Sequence, residues 1–376
     1  MHAYIEKFEK SIPVPSGSKN AFFPIHTQNQ VITHAPLKER MKYYNIPGVS
    51  IACIQDYKLK WAKGYGVAKI TEKQEVTQTT IFEAASTTKF VNTILILRLV
   101  EEGLLSLNED VNNYLHSWKI PENEFTSIQP VTLTDLLTHK SGFPPTNFPW
   151  KDDSNPTILD VLNGSSPALN DPVKVRYVPG TRYEYSNLDH IVIQLLLEEI
   201  LNKSYFTIMS EKVFQPLKMK DSYIADSNSI KTHPSIAFPH DKEGTLRMPY
   251  RHPSALASGG LLTTPSDLSR IAIDVMCAYN GEPDRYLSKN SVSLLFNNYG
   301  DLGDSLLGIP INNGFGCFIH RKGNEFMFTH PGYNNPGMLS FFYGYPKSGH
   351  GGVVMINSEN GVNLAFEIIH GLNLHH

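Results

Sequence analysis

The sequence predicts an α+β fold: an antiparallel sheet flanked by helices, built from both ends of the chain and interrupted by a helical insertion. Three observations lead there. Two strand-like segments flank a short turn near the start, a long middle stretch reads as helices, and strand signals return near the end. In this layout residues 1–89 and 291–376 form one discontinuous sheet domain, and 90–290 form a mainly helical domain. The site is expected where the two meet, a common place for clefts.

Taken in order, residues 31–45 read as a helix. Val49–Gln55 and Lys58–Val67 alternate around Asp56-Tyr57, which predicts a hairpin. Phe90–Val100 is interrupted only by Asn92 and Arg98 and is apolar on most sides, so it reads as a buried core helix. Pro-, Gly- and Asn-rich segments at 142–156 and 163–172 break the middle of the chain. From Gly314 onward Phe326–His330, Leu339–Tyr345 and Val353–Asn357 read as strands, and Gly361–Leu372 as a final helix. Pro331 cannot donate to a ladder, which places the strand before it at an edge or a bulge.

Composition excludes several classes. A chain of 376 residues with 41% hydrophobic residues can bury a sizeable core. A net charge of -3 leaves no basic footprint for nucleic acid. Cys53, Cys277 and Cys317 are odd in number and far apart, so neither a disulfide framework nor a metal knuckle is expected. The 15 histidines form no H-E-x-x-H pattern, so no metal is expected. Gly64-Tyr65-Gly66 lacks the third glycine of a dinucleotide fingerprint, and neither a Walker A sequence nor G-x-S-x-G occurs; no cofactor is expected. No apolar run approaches the roughly 20 residues of a membrane span. No basic, then apolar, leader is visible, which implies a cytoplasmic protein unless a leader has been removed. The oligomeric state is not legible.

Chemistry enters with Ser86-Thr87-Thr88-Lys89. Residues three apart share one helix face. A lysine held in a dry cleft can lose its charge and take the proton of a serine hydroxyl, which is otherwise a weak nucleophile. The bland alternative is Ser86 as a helix N-cap and Lys89 as a solvated first-turn residue. Tyr185-Ser186-Asn187 places a phenol and a carboxamide two apart, hence on one side of an extended segment. The alternative is a buried tyrosine and a capping asparagine. His330-Pro331-Gly332 closes a short aromatic strand, and Gly332 permits close approach of backbone to a ligand. The alternative is a histidine at a strand end followed by a turn.

In this order the three motifs resemble those of the penicillin-binding-protein and class C β-lactamase family of serine hydrolases. Asn45-Ile46-Pro47-Gly48-Val49 with Lys63-Gly64-Tyr65-Gly66 is similar to the family's first two strands. Leu136-Leu137-Thr138-His139-Lys140-Ser141-Gly142 is similar to its LLTHTSG signature, and Ala257-Ser258-Gly259-Gly260-Leu261 with Thr264-Pro265-Ser266-Asp267-Leu268 to its GGL and T-x-x-D segment. The resemblance covers most of the chain and implies a β-lactamase/transpeptidase-like fold.

It also implies roles. Ser86 would form an acyl-enzyme, with Lys89 and Tyr185 moving its proton, backbone N–H groups of Ser86 and Tyr333 holding the oxyanion, and Asn187 binding the substrate amide. His330 stands where many relatives carry lysine, replacing a permanent cation by a group that titrates near neutral pH. That swap weakens the case for a substrate carboxylate, and so for β-lactamase or carboxypeptidase activity. His139 is implied to be structural rather than a general base. Phe143, Phe148 and Trp150 either line an acyl pocket or pin their loop.

The reading that results is a serine hydrolase acting on a small amide, peptide or ester. The alternative is a β-lactamase or a D-Ala-D-Ala carboxypeptidase- or transpeptidase-type enzyme on D-amino-acid substrates. A catalytically silent binding protein is a third reading, opposed by the joint presence of Ser86, Lys89, Tyr185 and Asn187. The implied partner is a small-molecule or short-peptide substrate.

Overall fold

The computed structural model describes residues 2–15, 32–145, 154–224, 230, 233–249, 253–306 and 309–374. The chain starts with α1 (His2–Lys10), β1 (Ile12–Pro15), β2 (Ile32–Ala35) and α2 (Leu37–Tyr43). The helix expected over 31–45 is therefore only its second half. Residues 32–35 pair antiparallel with 12–15, and Pro36 then caps α2.

β3 (Gly48–Gln55) and β4 (Lys58–Lys69) form the expected hairpin, with Gln55 opposite Lys58. Asp56 and Tyr57 both have positive φ, +50° and +59°. Two left-handed residues give a turn whose twist matches the strands. The Tyr57 hydroxyl donates to the Lys347 carbonyl at 2.7 Å, tying this turn to the far end of the chain.

β5 (Gln74–Glu75) and β6 (Phe82–Glu83) lead into α3 (Thr87–Glu101). The middle of the chain supplies α4 (Leu133–Leu137), α5 (Ile158–Asn163), α6 (Asn187–Leu201) and α7 (Tyr205–Met209). After β7 (Tyr223–Ile224) come α8 (Leu256–Gly259), β8 (Leu261–Thr263), α9 (Pro265–Tyr279) and α10 (Lys289–Leu295). The last part holds β9 (Gly300–Leu306), β10 (Ile309–Asn313), β11 (Phe318–Lys322), β12 (Glu325–Thr329) and β13 (Gly332–Asn334), then β14 (Met338–Tyr345), β15 (His350–Ile356) and α11 (Gly361–Leu374). β9 and β10 precede Gly314, where strand signals were expected to begin.

Early and late strands share one antiparallel sheet, ordered β5-β4-β3-β15-β14-β12-β11-β10-β9, with β13 also paired to β14. Its central strands bury both faces. In β3, Val49, Ile51 and Cys53 join the core under α11, while Ala52 and Ile54 join the core under α3 and α9. β14 splits the same way, with Leu339, Phe341 and Tyr343 on the α11 side and Met338 and Phe342 on the other. Period-two geometry sends successive side chains to opposite faces. Two covered faces explain why these strands read as nearly continuous apolar runs.

β12 lies inside the sheet between β11 and β14, so it is not an edge strand. Thr329 opposite Tyr343 and Gly332 opposite Ser340 keep one register across Pro331, so there is no bulge either. The proline falls where β11 has already ended: β13 has β14 as its one paired strand among the described residues. The free edge is thus local to Gly332–Asn334.

α3 crosses this region as the expected buried helix. Phe90 packs on Phe328 and Phe342 with ring centroids 5.7 and 4.8 Å apart. Burial of its residues from Thr87 to Leu97 is continuous, so no amphipathic face is visible in its sequence. α9, although inside the 90–290 span, packs on β3, β4, β14 and β15. We propose the division into a sheet domain (1–89 and 291–376) and a helical domain (90–290) with that one helix returned to the sheet.

Candidate active site

Ser86 precedes the first residue of α3 with φ -62° and ψ -13°, and its side chain makes no capping bond. The bland N-cap reading therefore fails. Ala85, just before it, has φ +48°, a left-handed conformation uncommon for a residue with a Cβ. The turn is held by its neighbours. Thr88 Oγ1 donates to the Ala85 carbonyl at 2.6 Å and accepts from the Leu261 amide at 3.1 Å. Thr87 Oγ1 donates to the His330 carbonyl at 2.8 Å, and Ser340 Oγ donates to the Ala84 carbonyl at 2.6 Å.

Lys89 is fully buried. Its Nζ is 3.2 Å from Ser86 Oγ and donates to the Ser258 carbonyl at 2.7 Å. The same nitrogen lies 5.1 Å from the centre of the Tyr185 ring. Burial pushes the amine down to about 7, against a weaker opposing pull from the Asp189 carboxyl. A solvated first-turn lysine would show none of this. Burial also raises the Tyr185 hydroxyl above its ordinary range, while a hydrogen bond to Ser86 acts in the other direction. Ser86 and Tyr185, both half-buried, thus meet the fully buried Lys89 in one cluster.

The third motif reaches the same place. A Cβ on Gly332 would come within 2.1 Å of the Ala84 carbonyl and 3.0 Å of the Ser86 amide nitrogen, so only glycine lets β13 approach this closely. Tyr333 follows on the free edge and is 44% exposed. His330 is buried, and its Nδ1 stands 3.0 Å from the Pro331 carbonyl. Burial pushes its imidazole down to about 3, with the nearby Lys89 amine acting in the same direction. It is neutral at any ordinary pH, which removes the titrating cation expected from the sequence.

Asn187 opens α6 and is half-buried, with Ser186 capping that helix through a bond from the Leu188 amide at 3.2 Å. A cavity of about 780 Å³ opens at Ser86, and Tyr185, His330, Gly332 and Tyr333 line it. Its described lining does not include Asn187.

With this geometry in place, comparison with known proteins is decisive at the family level. Residues 35–371 match the Beta-lactamase family. The chain belongs to that family. Protein flp of Staphylococcus aureus (strain N315) is 26% identical over 323 residues, covering 83% of this chain and 60% of that protein. Unguisins hydrolase ungD' of Aspergillus campestris is 31% identical over 199 residues, covering 50% of this chain and 35% of that protein. The chain thus spans about 60% of the first of these curated relatives and about a third of the second. Among solved structures, the octameric penicillin-binding protein homologue from Pyrococcus abyssi superposes with a TM-score of 0.74 at 25% identity, over 90% of this chain and 75% of that one. A penicillin-binding protein from Bacillus halodurans gives 0.71 at 21% identity, over 90% and 98%, a likeness of fold. This is the β-lactamase/transpeptidase-like fold of a serine-hydrolase family.

Within the Beta-lactamase frame, His139 is a packing and hydrogen-bonding residue. Its Nδ1 is 2.6 Å from Asp189 Oδ2, its ring centroid is 4.4 Å from that of Tyr185, and its carbonyl accepts from the Glu184 amide. Burial pushes its imidazole down to about 3 and the Asp189 carboxyl up. Ser141 Oγ donates to Asp189 Oδ1 at 2.5 Å. Asp189 carried no sequence signal of its own, because its partners lie about fifty residues away. The Ser258 carbonyl is likewise invisible as a side-chain motif, although its segment stood out. Phe143 is fully buried and its amide bonds to Ser141 Oγ, so it pins the loop; Phe148 and Trp150 lie outside the described residues. Among the described residues no cluster of His, Cys, Asp or Glu could hold a metal ion, and no helix is long and apolar enough to cross a membrane.

Proposed function

We propose that this protein hydrolyses a small amide, peptide or ester through an acyl-enzyme on Ser86. The observation that carries the reading is Lys89 Nζ, 3.2 Å from Ser86 Oγ, in a site dry enough to bring the amine to about 7. At neutral pH a large fraction of such an amine is free to accept a proton.

Ser86 Oγ attacks the carbonyl carbon, and its proton passes to Lys89, with Tyr185 hydrogen-bonded to the same hydroxyl. The carbonyl electron pair moves onto oxygen, where the Ser86 and Tyr333 amides are the donors we assign. As that pair returns, the bond to the leaving oxygen or nitrogen breaks, and the leaving group takes the proton held by the Lys89–Tyr185 pair. Water then attacks the acyl carbon, gives up a proton to the same pair, and Ser86 departs with that proton. Asn187 and His330 complete the assignment as substrate-binding groups, His330 in neutral form and Asn187 from the start of α6.

A named hydrolase among the relatives supports the reaction class. An uncharged His330 where other members place lysine argues against substrates anchored there by a carboxylate. The test is labelling with a fluorophosphonate and with a penicillin probe, followed by mass spectrometry. Adduct on the Ser86 peptide, with turnover of p-nitrophenyl esters ahead of nitrocefin and D-amino-acid p-nitroanilides, is the expected result. Adduct on Ser141 or Ser258 would overturn the assignment.

A further inference from the structure

The cavity that begins at Ser86 extends well past the reacting groups. Its lining includes Gly332 and Tyr333 of β13 and side chains that belong to the α11 side of the sheet. There its walls are Leu339, Phe341, Val362, Ala365 and Phe366, and Leu302, Ile311 and Phe318 close it from β9 to β11. Leu339, Phe341, Ala365 and Phe366 are themselves core residues of the α11 side, so the walls are fixed by packing rather than by solvent-facing rotamers. Tyr333 also lines the cavity and is half exposed.

The charge of the walls is as specific as their shape. Among the described lining residues there is no lysine or arginine, and the one carboxylate is Glu359. Glu359 lies close enough to Tyr333 for its charge to help raise the phenol, after burial. A free carboxylate on the substrate would therefore meet a like charge in the trench and a neutral imidazole at His330.

We propose that the substrate carries an uncharged apolar group beside its scissile carbonyl, seated in this trench over Phe341 and Phe366, and that Glu359 discriminates against anionic groups. The inference rests on Ser86 being the nucleophile at the trench head. Burying each added methylene should raise kcat/KM by roughly threefold until the trench is full.

The experiment uses the whole chain and two ester series: p-nitrophenyl acetate to decanoate, and ethyl to octyl acetate. A chain-length gain in at least one series is expected. Val362→Trp, which fills the trench from α11, should abolish that gain, so that the long and short esters react at similar rates. The mono-p-nitrophenyl ester of adipic acid should react at least about tenfold more slowly than the hexanoate, the order of one like-charge contact. Glu359→Gln should narrow that ratio.

Flat rates in both series, with Ser86-dependent acetate hydrolysis intact, would overturn the trench and leave the nucleophile standing. If no ester acylates Ser86, the nucleophile reading falls. The trench is then judged by calorimetric binding of octyl acetate and ethyl acetate to Ser86→Ala: tighter binding of the octyl ester supports it, and equal binding overturns it.

Discussion

The molecule holds two of its cations in opposite ways, the half-buried Arg40 and the fully buried Lys89. Arg40 of α2 is clasped by Glu367 of α11 through two bonds of 2.9 and 2.7 Å, and Tyr44 bonds to both partners. The hydrogen bond to Glu367 raises the guanidinium further above its already high value. Among the described residues no carboxylate lies within bonding distance of Lys89; it meets a hydroxyl, a carbonyl and an aromatic face, and burial drives it toward neutrality. A paired, bidentate cation keeps its charge and serves the fold. A cation deprived of its counter-charge becomes a base, and the fold must carry its cost.

The sharpest way to break this contrast is substitution at each centre. Lys89→Met should lower kcat by about 10²–10⁴-fold, the usual range for a lost acid–base group, while the urea midpoint at pH 7 holds or rises because the buried amine is itself a cost to the fold. Arg40→Met should do the reverse: turnover stays near wild type, and stability falls by roughly 2–4 kcal/mol because Glu367 is left without its partner. Equal loss of stability in both variants would erase the distinction. Tyr185→Phe is expected to cost about 10²-fold in turnover with the fold intact, measured by kinetics beside circular dichroism. Near-parental turnover would remove the phenol from the proton path.

A pH series sharpens the same comparison. The folded value of Lys89, about 7, lies below its ordinary 10.5. The unfolded chain therefore binds more protons between those limits, and stability from this group rises with pH across that window. Urea midpoints of the wild type relative to Lys89→Met should rise from pH 7 to pH 9, whereas Arg40→Met should retain the wild-type slope. In the same range kcat/KM should climb through about 7 as the free amine accumulates. The smallest effect concerns His330, held neutral down to about 3. A neutral and an anionic ester should give parallel kcat/KM profiles from pH 5.5 to 8.5, and His330→Lys should harm both. Profiles that diverge with substrate charge would restore a cationic role.

The contrast also shows what a sequence can disclose. Ser86 and Lys89 were legible because helical spacing alone puts them together. Gly332 was legible because close approach needs a residue without a Cβ. The hairpin at Asp56-Tyr57 and the buried helix over Phe90–Val100, which extends to Thr87–Glu101, were readable from local pattern. The strand at Ile32–Ala35 was read as helix because its partner, Ile12–Pro15, lies far upstream. β9 was missed because Gly300-Asp301-Leu302-Gly303-Asp304 is too polar and glycine-rich to look like a strand; its pairing with β10 makes it one. The Asp189 contact and the neutral state of His330 depend on what surrounds them in space, so no local pattern carries them.

The sheet order imposes a timetable on the making of the protein. β3 is among the first strands to leave the ribosome, yet its second neighbour, β15, ends at Ile356. From Gln55 to His350 is 295 residues by subtraction, so at 5–20 residues per second the apolar edge of β3 waits roughly 15–60 s for its partner. Throughout that interval the growing chain presents an unpaired, hydrophobic strand. Truncated chains ending before β15 should therefore be held by chaperones or aggregate, and Ser86 first meets Gly332 only after β13 has been made.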